Sequence, residues 1–222
     1  KVLTDVLRAE CEALNESFIT WVTKKRPFVT LKIAQTMDGK TALPDGSSQW
    51  ITGPASRERV HIMRAESDAV LAGLRTVIYD DARLNVRTAC ARQPKRIILG
   101  CEELLTPQLR VLNHPDPEHT IIASAGTPSE KARLVLERKG AEIWTLPETG
   151  PGIVELDSFL KKAAENNIAR LMVEGGSGVF SSFLRHHLVD RVVVFQAPKI
   201  FGDGISPFRE IPVSSPENAV GF

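Results

Sequence analysis

The 222-residue sequence has few of the features that would place it in a membrane, a disulfide framework or a nucleic-acid complex. Its longest apolar stretch, RVVVFQAP, has the length of a β-strand and not that of a membrane span. Its cysteines, Cys11, Cys90 and Cys101, are irregularly spaced, which predicts free thiols in a reducing compartment and therefore a cytoplasmic protein. A net charge of +1 argues against general binding to nucleic acids or anionic membranes.

The sequence also lacks the motifs of several enzyme classes. The phosphate-binding pattern G-x-x-x-x-G-K-[ST], the hydrolase elbow G-x-S-x-G and the zinc motif H-E-x-x-H do not occur. Asp80 and Asp81 are adjacent acids without a third acid or histidine at a supporting spacing, which favours a cap, a turn or a hydrogen bond to a ligand hydroxyl. Histidines and cysteines show no metal-ligand spacing either, so no metal site is predicted.

Short apolar strands alternate with amphipathic helices along most of the chain. This order predicts a three-layer α/β/α fold with a mostly parallel central sheet. Such sheets bind ligands beyond the carboxyl ends of their strands. The predicted strands are 26–36, 68–73, 95–100, 119–125, 141–146, 169–174 and 190–198, and the predicted helices are 2–22, 54–66, 127–140, 155–167 and 177–187.

Two of these helices carry specific expectations. We expect Thr127 to cap the helix over 127–140, with Glu130 completing a capping box. The N-terminal helix is expected to be amphipathic, because apolar residues recur on one of its faces. The residues of that face are Val6, Leu7, Cys11, Leu14 and Phe18.

The segment VEGGSGVF joins a predicted strand to a predicted helix. Ser177 is expected to cap that helix, and its bare amide groups and positive dipole end would favour an anion such as a pyrophosphate. A plain structural turn fits the same letters. A flexible linker is excluded, because ordered elements flank Gly175 and Gly176 without a polar spacer.

Several polar residues fall within or just after these elements. Lys32 lies in an apolar strand, where it needs a partner or a ligand unless its side chain reaches solvent. Glu174 ends a strand and points toward the ligand crevice, although a solvated acid fits this position as well. Trp50 precedes a helix and either stacks on a ring or packs. Arg57 and Arg64 share one helix face, which suits either a phosphate or solvent.

Four blocks of the sequence together resemble one enzyme family. They are RPFVTLKIAQTMDGKTA, SSQWITGPASRERVHIMRAESDAVLAG, TVIYDDARLNVR and VEGGSGVFSSFLRHHLVDRVVVFQAPKIFGDG. In this order, over residues 26–207, they are similar to the reductase domain of the bifunctional riboflavin-biosynthesis deaminase–reductase. The resemblance implies a dihydrofolate-reductase-like fold, NADPH as cofactor and 5-amino-6-(5-phosphoribosylamino)uracil as a small phosphosugar substrate. Its ribosyl unit would be reduced to ribityl at C1′. We also expect a homodimer or a larger homo-oligomer.

The resemblance assigns site residues position by position. Arg64 and Arg87 would hold the ribose phosphate, and either Lys32 or Glu174 would relay the proton that accompanies the hydride. Adjacent glycines at this place in such folds can carry a cis peptide, so we predict one between Gly175 and Gly176. The implied substrate contacts are Lys32, Ser48, Arg64, Leu84, Arg87 and Glu174. The implied cofactor contacts are Ala34, Trp50, Thr76, Asp80, Gly175, Gly176, Ser177, Gly178, Val179, Phe180, Ser181 and Ser182.

The chain also departs from the family pattern. Arg75 occupies a position that is usually small, and Ala82 replaces a common proline in a turn. Residues 1–25 are expected to be a connector from a missing upstream deaminase domain, because its zinc-site pattern is absent. Residues 26–222 are expected to form the reductase domain without its last strands.

Two rival functions fit the same sequence. One is a reductase of the same fold that acts on another pyrimidine or pterin. The other is a nucleotide-binding or dimerisation module without turnover. The joint presence of Lys32, Arg64, Arg87 and Glu174 favours catalysis on a phosphosugar over both.

Overall fold

A computed structural model describes residues 2–87, 92–100, 105–113 and 119–221. Cys11 is exposed and free, whereas Cys90 and Cys101 lie outside the described residues. In the part of the chain that the structure describes, no helix is long and apolar enough to cross a membrane.

A seven-stranded sheet forms the centre of the protein, and neighbouring strands in it are parallel. Its strands are β1 (Phe28–Thr36), β2 (Ala69–Gly73), β3 (Lys95–Leu99), β4 (Thr120–Ala125), β5 (Glu142–Leu146), β8 (Arg170–Gly175) and β9 (Arg191–Ala197). They stand in the order β5-β4-β3-β2-β8-β1-β9. A small hairpin of β6 (Glu148–Gly150) and β7 (Ile153–Val154) was not predicted. The apolar runs suit strands covered on both faces, and the predicted fold class is confirmed.

Helices cover the sheet on both sides. They are α1 (Arg8–Lys24), α2 (Pro54–Glu66), α3 (Leu74–Asp80), α4 (Glu130–Arg138), α5 (Leu156–Glu165) and α6 (Ser177–Arg185). Apolar side chains of α5 and α6 share one core cluster with one face of the sheet. Those of α2, α3 and α4 share a second cluster with the other face. This arrangement produces the three layers expected from the sequence.

Helix α1 departs from its predicted packing. Leu14 and Phe18 are 75% and 58% exposed, whereas Ser17 and Thr20 are buried. The docked side of α1 is therefore polar: Arg170 Nε donates to Ser17 Oγ at 2.9 Å. The apolar spacing correctly indicates a helix, but packing against the sheet selects the opposite side of it.

One helix, α3, was not predicted; it follows β2 without a loop. Two local expectations are wrong. The cap of α4 is Ser129 and not Thr127, because α4 begins at Glu130 and only the Ser129 hydroxyl reaches the Ala132 amide, at 3.2 Å. Ser177 is the first residue inside α6, so Gly176 occupies the cap position.

Candidate functional site

The central strands bring Lys32 and Glu174 together at the carboxyl ends of β1 and β8. Leu31 pairs with Val173 in the parallel ladder, so the next residue of each strand projects from the opposite face. Leu31 and Val173 enter the apolar core, while Lys32 and Glu174 face α2. In the ladder between β2 and β8, Leu71 pairs with Val173 and Ala72 pairs with Gly175. Glu174 lies between these two pairs, where the register shifts.

Arg64 of α2 binds Glu174 through a two-fold hydrogen bond. Its Nε donates to Oε1 at 2.5 Å and its Nη2 donates to Oε2 at 2.8 Å. Nη1 donates to the carbonyl of Asn85 at 2.8 Å. Burial alone would raise the pKa of Glu174, but the Arg64 charge and hydrogen bonds outweigh it and lower the pKa to about 2. Glu174 is therefore ionised at neutral pH. The Arg64 guanidinium is already hydrogen-bonded to Glu174 and Asn85, which the sequence did not predict.

Lys32 is the second charged group of this face. Within the described residues its ammonium has no ion pair. Burial lowers the pKa of Lys32; Arg64 lowers it further, while the carboxylates of Glu174 and Asp80 act in the opposite direction. A lysine with a lowered pKa can give up a proton more readily than one in water.

Ser48 and Asp80 form the next part of the site. Ser48 Oγ donates to Asp80 Oδ1 at 3.0 Å, which links the loop before α2 to the end of α3. Burial raises the pKa of Asp80, although its hydrogen bonds with Ser48 and Gln49 oppose this. The structure thus places Asp80 beside Ser48 and Lys32, which the resemblance assigns to the substrate, whereas the resemblance assigns Asp80 to the cofactor.

The turn between β8 and α6 contains the predicted cis peptide between Gly175 and Gly176, which is confirmed. No side chain caps α6. A Cβ at Gly176 would lie 2.8 Å from Thr76 Oγ1, and one at Gly73 would lie 2.8 Å from Val179 Cγ2. Small residues therefore let α3 and α6 begin side by side, with Thr76 against the turn.

Only part of the predicted cofactor run lies at this turn. Gly175 to Gly178 form the turn and the start of α6. Phe180 and Ser181 are 3% and 1% exposed, and Ser181 Oγ accepts from the Arg209 amide at 2.8 Å. These two side chains face the protein interior, so direct cofactor contacts through them do not fit this structure.

A cleft of about 400 Å³ lies beside Trp50. Arg57 stacks over the Trp50 ring with its Cζ 4.8 Å from the ring centroid. Lys199 Nζ donates to the Trp50 carbonyl at 2.7 Å. Ala34, two residues beyond Lys32 on the same face of β1, is half-buried. The cleft is lined by Trp50, Ile51, Thr52, Gly53, Ser56, Gln196, Ala197, Pro198 and Lys199.

The remaining predicted substrate residues have different environments. Leu84 is 3% exposed and packs in the core with a positive φ of 52°, so a substrate could meet only its backbone. Arg87 is exposed, and its Nε donates to His61 Nε2 at 3.3 Å. Burial lowers the pKa of Arg87, and so do nearby guanidinium groups. These belong to Arg64, Arg83, Arg110 and Arg57.

Sequence reasoning missed two participants in this region, His61 and the carbonyl of Asn85. His61 stands four residues after Arg57 and three before Arg64, a helical spacing that could have placed it on the same face. The Asn85 carbonyl had no signal in the sequence. Across the described ranges, no three His, Cys, Asp or Glu residues come together as a possible metal site.

Comparison with known proteins matches most of this chain. A family model described as RibD C-terminal domain matches residues 27–219. The riboflavin biosynthesis protein RibD of Aquifex aeolicus is 44% identical over 202 residues, which cover 90% of this chain and 54% of that protein. RibD of Chlamydia muridarum is 37% identical over 185 residues, 82% of this chain and 49% of the relative. The chain thus spans about half the length of these curated relatives.

Solved structures show the same fold. A diaminohydroxyphosphoribosylaminopyrimidine deaminase/5-amino-6-(5-phosphoribosylamino)uracil reductase from Thermotoga maritima superimposes with a TM-score of 0.78 at 38% identity, over 95% of this chain and 56% of that one. A riboflavin biosynthesis reductase from Saccharomyces cerevisiae has a TM-score of 0.67 at 19% identity, over 92% of this chain and 91% of that one. The second likeness concerns the fold alone.

Proposed function

Because the chain belongs to the RibD C-terminal domain family, we propose that it reduces 5-amino-6-(5-phosphoribosylamino)uracil to the ribitylamino product with NADPH. The observation that carries the proposal is the group of Lys32, Glu174 and Arg64 at the carboxyl ends of β1 and β8. It lies one residue from the uncapped glycine turn of α6. Charged groups for a phosphosugar and a turn for a cofactor phosphate thus adjoin each other.

The glycine turn fits a cofactor that carries a pyrophosphate. No side chain caps the first amide groups of α6, which suits an anion at this helix end. Gly176 leaves room that a Cβ would fill, against Thr76. Ala34 and Trp50 would line the path toward the reacting carbon. When bound, the reduced nicotinamide supplies the hydride.

We assign the accompanying proton to Lys32. Reduction of an open-chain imine adds hydride to C1′ and requires one proton on the nitrogen. Glu174 is a poor donor because Arg64 keeps it ionised. Lys32 combines a lowered pKa with a place beside that carboxylate. Glu174 would then orient sugar hydroxyls and hold Lys32 by charge attraction.

We assign the ribose phosphate mainly to Arg87. Arg64 was expected to share this role, but its guanidinium already donates to Glu174 and to Asn85. Arg87 has no carboxylate partner within the described residues, and other guanidinium groups surround it. A phosphate dianion would relieve that repulsion.

An assay of the purified chain tests the proposal. NADPH absorbance should fall only when 5-amino-6-(5-phosphoribosylamino)uracil is added, and the product should gain the mass of two hydrogens. NADH in parallel tests the cofactor preference. If the chain binds NADPH but does not oxidise it, the result would favour a nucleotide-binding module without turnover. Consumption with another pyrimidine or a pterin, and not with the phosphoribosyl compound, would favour the alternative reductase.

The expected oligomer is proposed on the resemblance alone. Light scattering of the purified chain measures its mass directly. A mass of one chain would contradict a stable homo-oligomer. Placement in the cytoplasm is likewise proposed, from the predicted free thiols and a biosynthetic role.

A further inference from the structure

A row of basic side chains on α2 runs from the Trp50 cleft to Glu174. Arg57, His61 and Arg64 follow each other at intervals of four and three residues, so they share one face of the helix. Arg64 at one end is neutralised by Glu174. Arg57 at the other end stacks on an aromatic ring and has no carboxylate partner in the described parts of the chain. His61 lies between them.

His61 contacts the arginine assigned to the phosphate. Arg87 Nε donates to His61 Nε2 at 3.3 Å, which requires that this imidazole nitrogen carry no proton. The charged groups that face His61 are Arg64 from its own helix, Arg87 from the following loop and Glu174 from β8. Burial lowers the pKa of His61, and Arg64 and Arg87 lower it further, while Glu174 opposes them. Without an anion, the imidazole is therefore neutral at pH 7.

We propose that His61 is a phosphate-binding residue that takes up a proton from solvent when the phosphomonoester dianion of the substrate docks against Arg87. The identity of the ligand rests on the proposed function. In the free protein the Nε2 lone pair of His61 accepts from Arg87. On docking, Arg87 Nε turns to a phosphate oxygen, and the newly protonated Nε2 donates to another. The proton comes from water or buffer, and no covalent bond to the substrate changes.

The charges around His61 favour its protonation only when a dianion is bound beside it. An imidazolium beside Arg87 and Arg64 is disfavoured by repulsion between like charges. Two negative charges within hydrogen-bond distance reverse that balance and raise the pKa of His61. The 3.3 Å contact is longer than an ordinary N–H hydrogen bond, so little is lost when Arg87 changes partner.

Binding of inorganic sulfate tests the proposal without NADPH or turnover. Sulfate stays a dianion between about pH 5 and 8, so any change in its affinity over this range comes from the protein. The wild-type protein should bind sulfate more weakly as pH rises from the pKa of His61 in the free protein to its higher pKa in the complex, by up to about tenfold per pH unit within this window. Calorimetry in two buffers of different ionisation enthalpy should show proton uptake. Ribose 5-phosphate should also cause proton uptake at pH 7, once the protons released by the monoanionic fraction of its own phosphate are subtracted.

His61→Asn should bind sulfate with a flat pH profile and no proton uptake, and His186→Asn, at an exposed histidine outside the site, should behave like wild type. His61→Gln serves in place of His61→Asn if the latter does not fold. Equal pH dependence in wild type and the His61 variant, or no proton uptake by wild type, overturns the proposal. A failed reductase assay would instead count against the proposed function, because sulfate binding does not depend on it.

Discussion

The two faces of β1 have different surroundings. Leu31 and Ile33 are almost fully buried in the core shared with α5 and α6. Lys32 and Ala34, their immediate neighbours, face the candidate site. Successive side chains of a strand point to opposite faces, so a single strand supports the fold on one side and chemistry on the other. Burial therefore stabilises the protein at Leu31 and opposes folding at the charged Lys32.

The largest expected effect is on catalysis at Lys32. Lys32→Met should lower kcat by roughly 100-fold to 10,000-fold, because the proposed proton donor is lost. Stability should stay constant or rise, since a charged group with a pKa lowered by burial is replaced by an apolar one. Initial rates and thermal melts measure both quantities.

The pH dependence of turnover checks the same role. In wild type, activity should fall as pH rises through the lowered pKa of Lys32. A Lys32→Met enzyme with wild-type rates would remove the residue from the mechanism.

The next effect concerns the charged pair on the same face. Arg64→Met should cost about 3–5 kcal/mol at neutral pH, because it leaves Glu174 as a buried charge without its partner. Glu174 in wild type has a lowered pKa, so its contribution is present above the ordinary value of 4.5 and is lost as pH falls toward about 2. In the variant, burial should raise that pKa.

The difference in unfolding free energy between Arg64→Met and wild type should therefore become smaller as the pH is lowered. A loss of packing alone would give a difference that does not depend on pH. Denaturant unfolding at several pH values, with wild type measured in parallel, distinguishes the two. A deficit independent of pH would contradict the ionic role.

The apolar face should respond in stability alone. Leu31→Ala should cost about 2–5 kcal/mol, because it removes methyl groups from a fully buried site. The rate per folded molecule should stay near that of wild type below the melting transition. A large change in KM for the substrate, at full folding, would show that the two faces of β1 are not separate.

The smallest effect is expected at the edge of the site. Ser48→Ala removes the hydrogen bond to Asp80 Oδ1 and should cost about 1 kcal/mol. The pKa of Asp80, already raised by burial, should rise further because one hydrogen bond that lowers it is gone. Unfolding free energies of both proteins measure the first quantity, and titration of Asp80 by carboxyl-carbon NMR measures the second. An unchanged titration would mean that the Ser48 hydroxyl does not stabilise the carboxylate.

Part of the site could be recognised from the sequence because it breaks local rules. Lys32 interrupts an apolar strand, and Glu174 ends another, so both stand out without any knowledge of tertiary contacts. The helix over 54–66 was predicted with the bounds that α2 has, since Pro54 marks its first position. By contrast, α3 escaped prediction because its seven residues follow β2 directly.

The rest depends on residues that are far apart in the chain. Arg64 and Glu174 are separated by 110 positions, and no local pattern indicates that they pair. The resemblance assigns both to the substrate, but the pairing makes Arg64 a partner of the carboxylate, which is why we propose Arg87 for the phosphate. The spacing of His61 from Arg57 and Arg64 could have placed it on this helix face, but only the structure shows its contact with Arg87.

Hydrophobic periodicity and turn residues by themselves determined that this chain forms a parallel α/β sheet with a glycine turn before α6, since these signals act within a few residues. The tertiary structure alone decided which charges meet, which arginine is neutralised and which side of α1 is exposed. Electrostatic pairing and burial act through space, where the neighbours are set by the packing of distant elements. The ionisation states of Lys32, His61 and Glu174 follow from that packing.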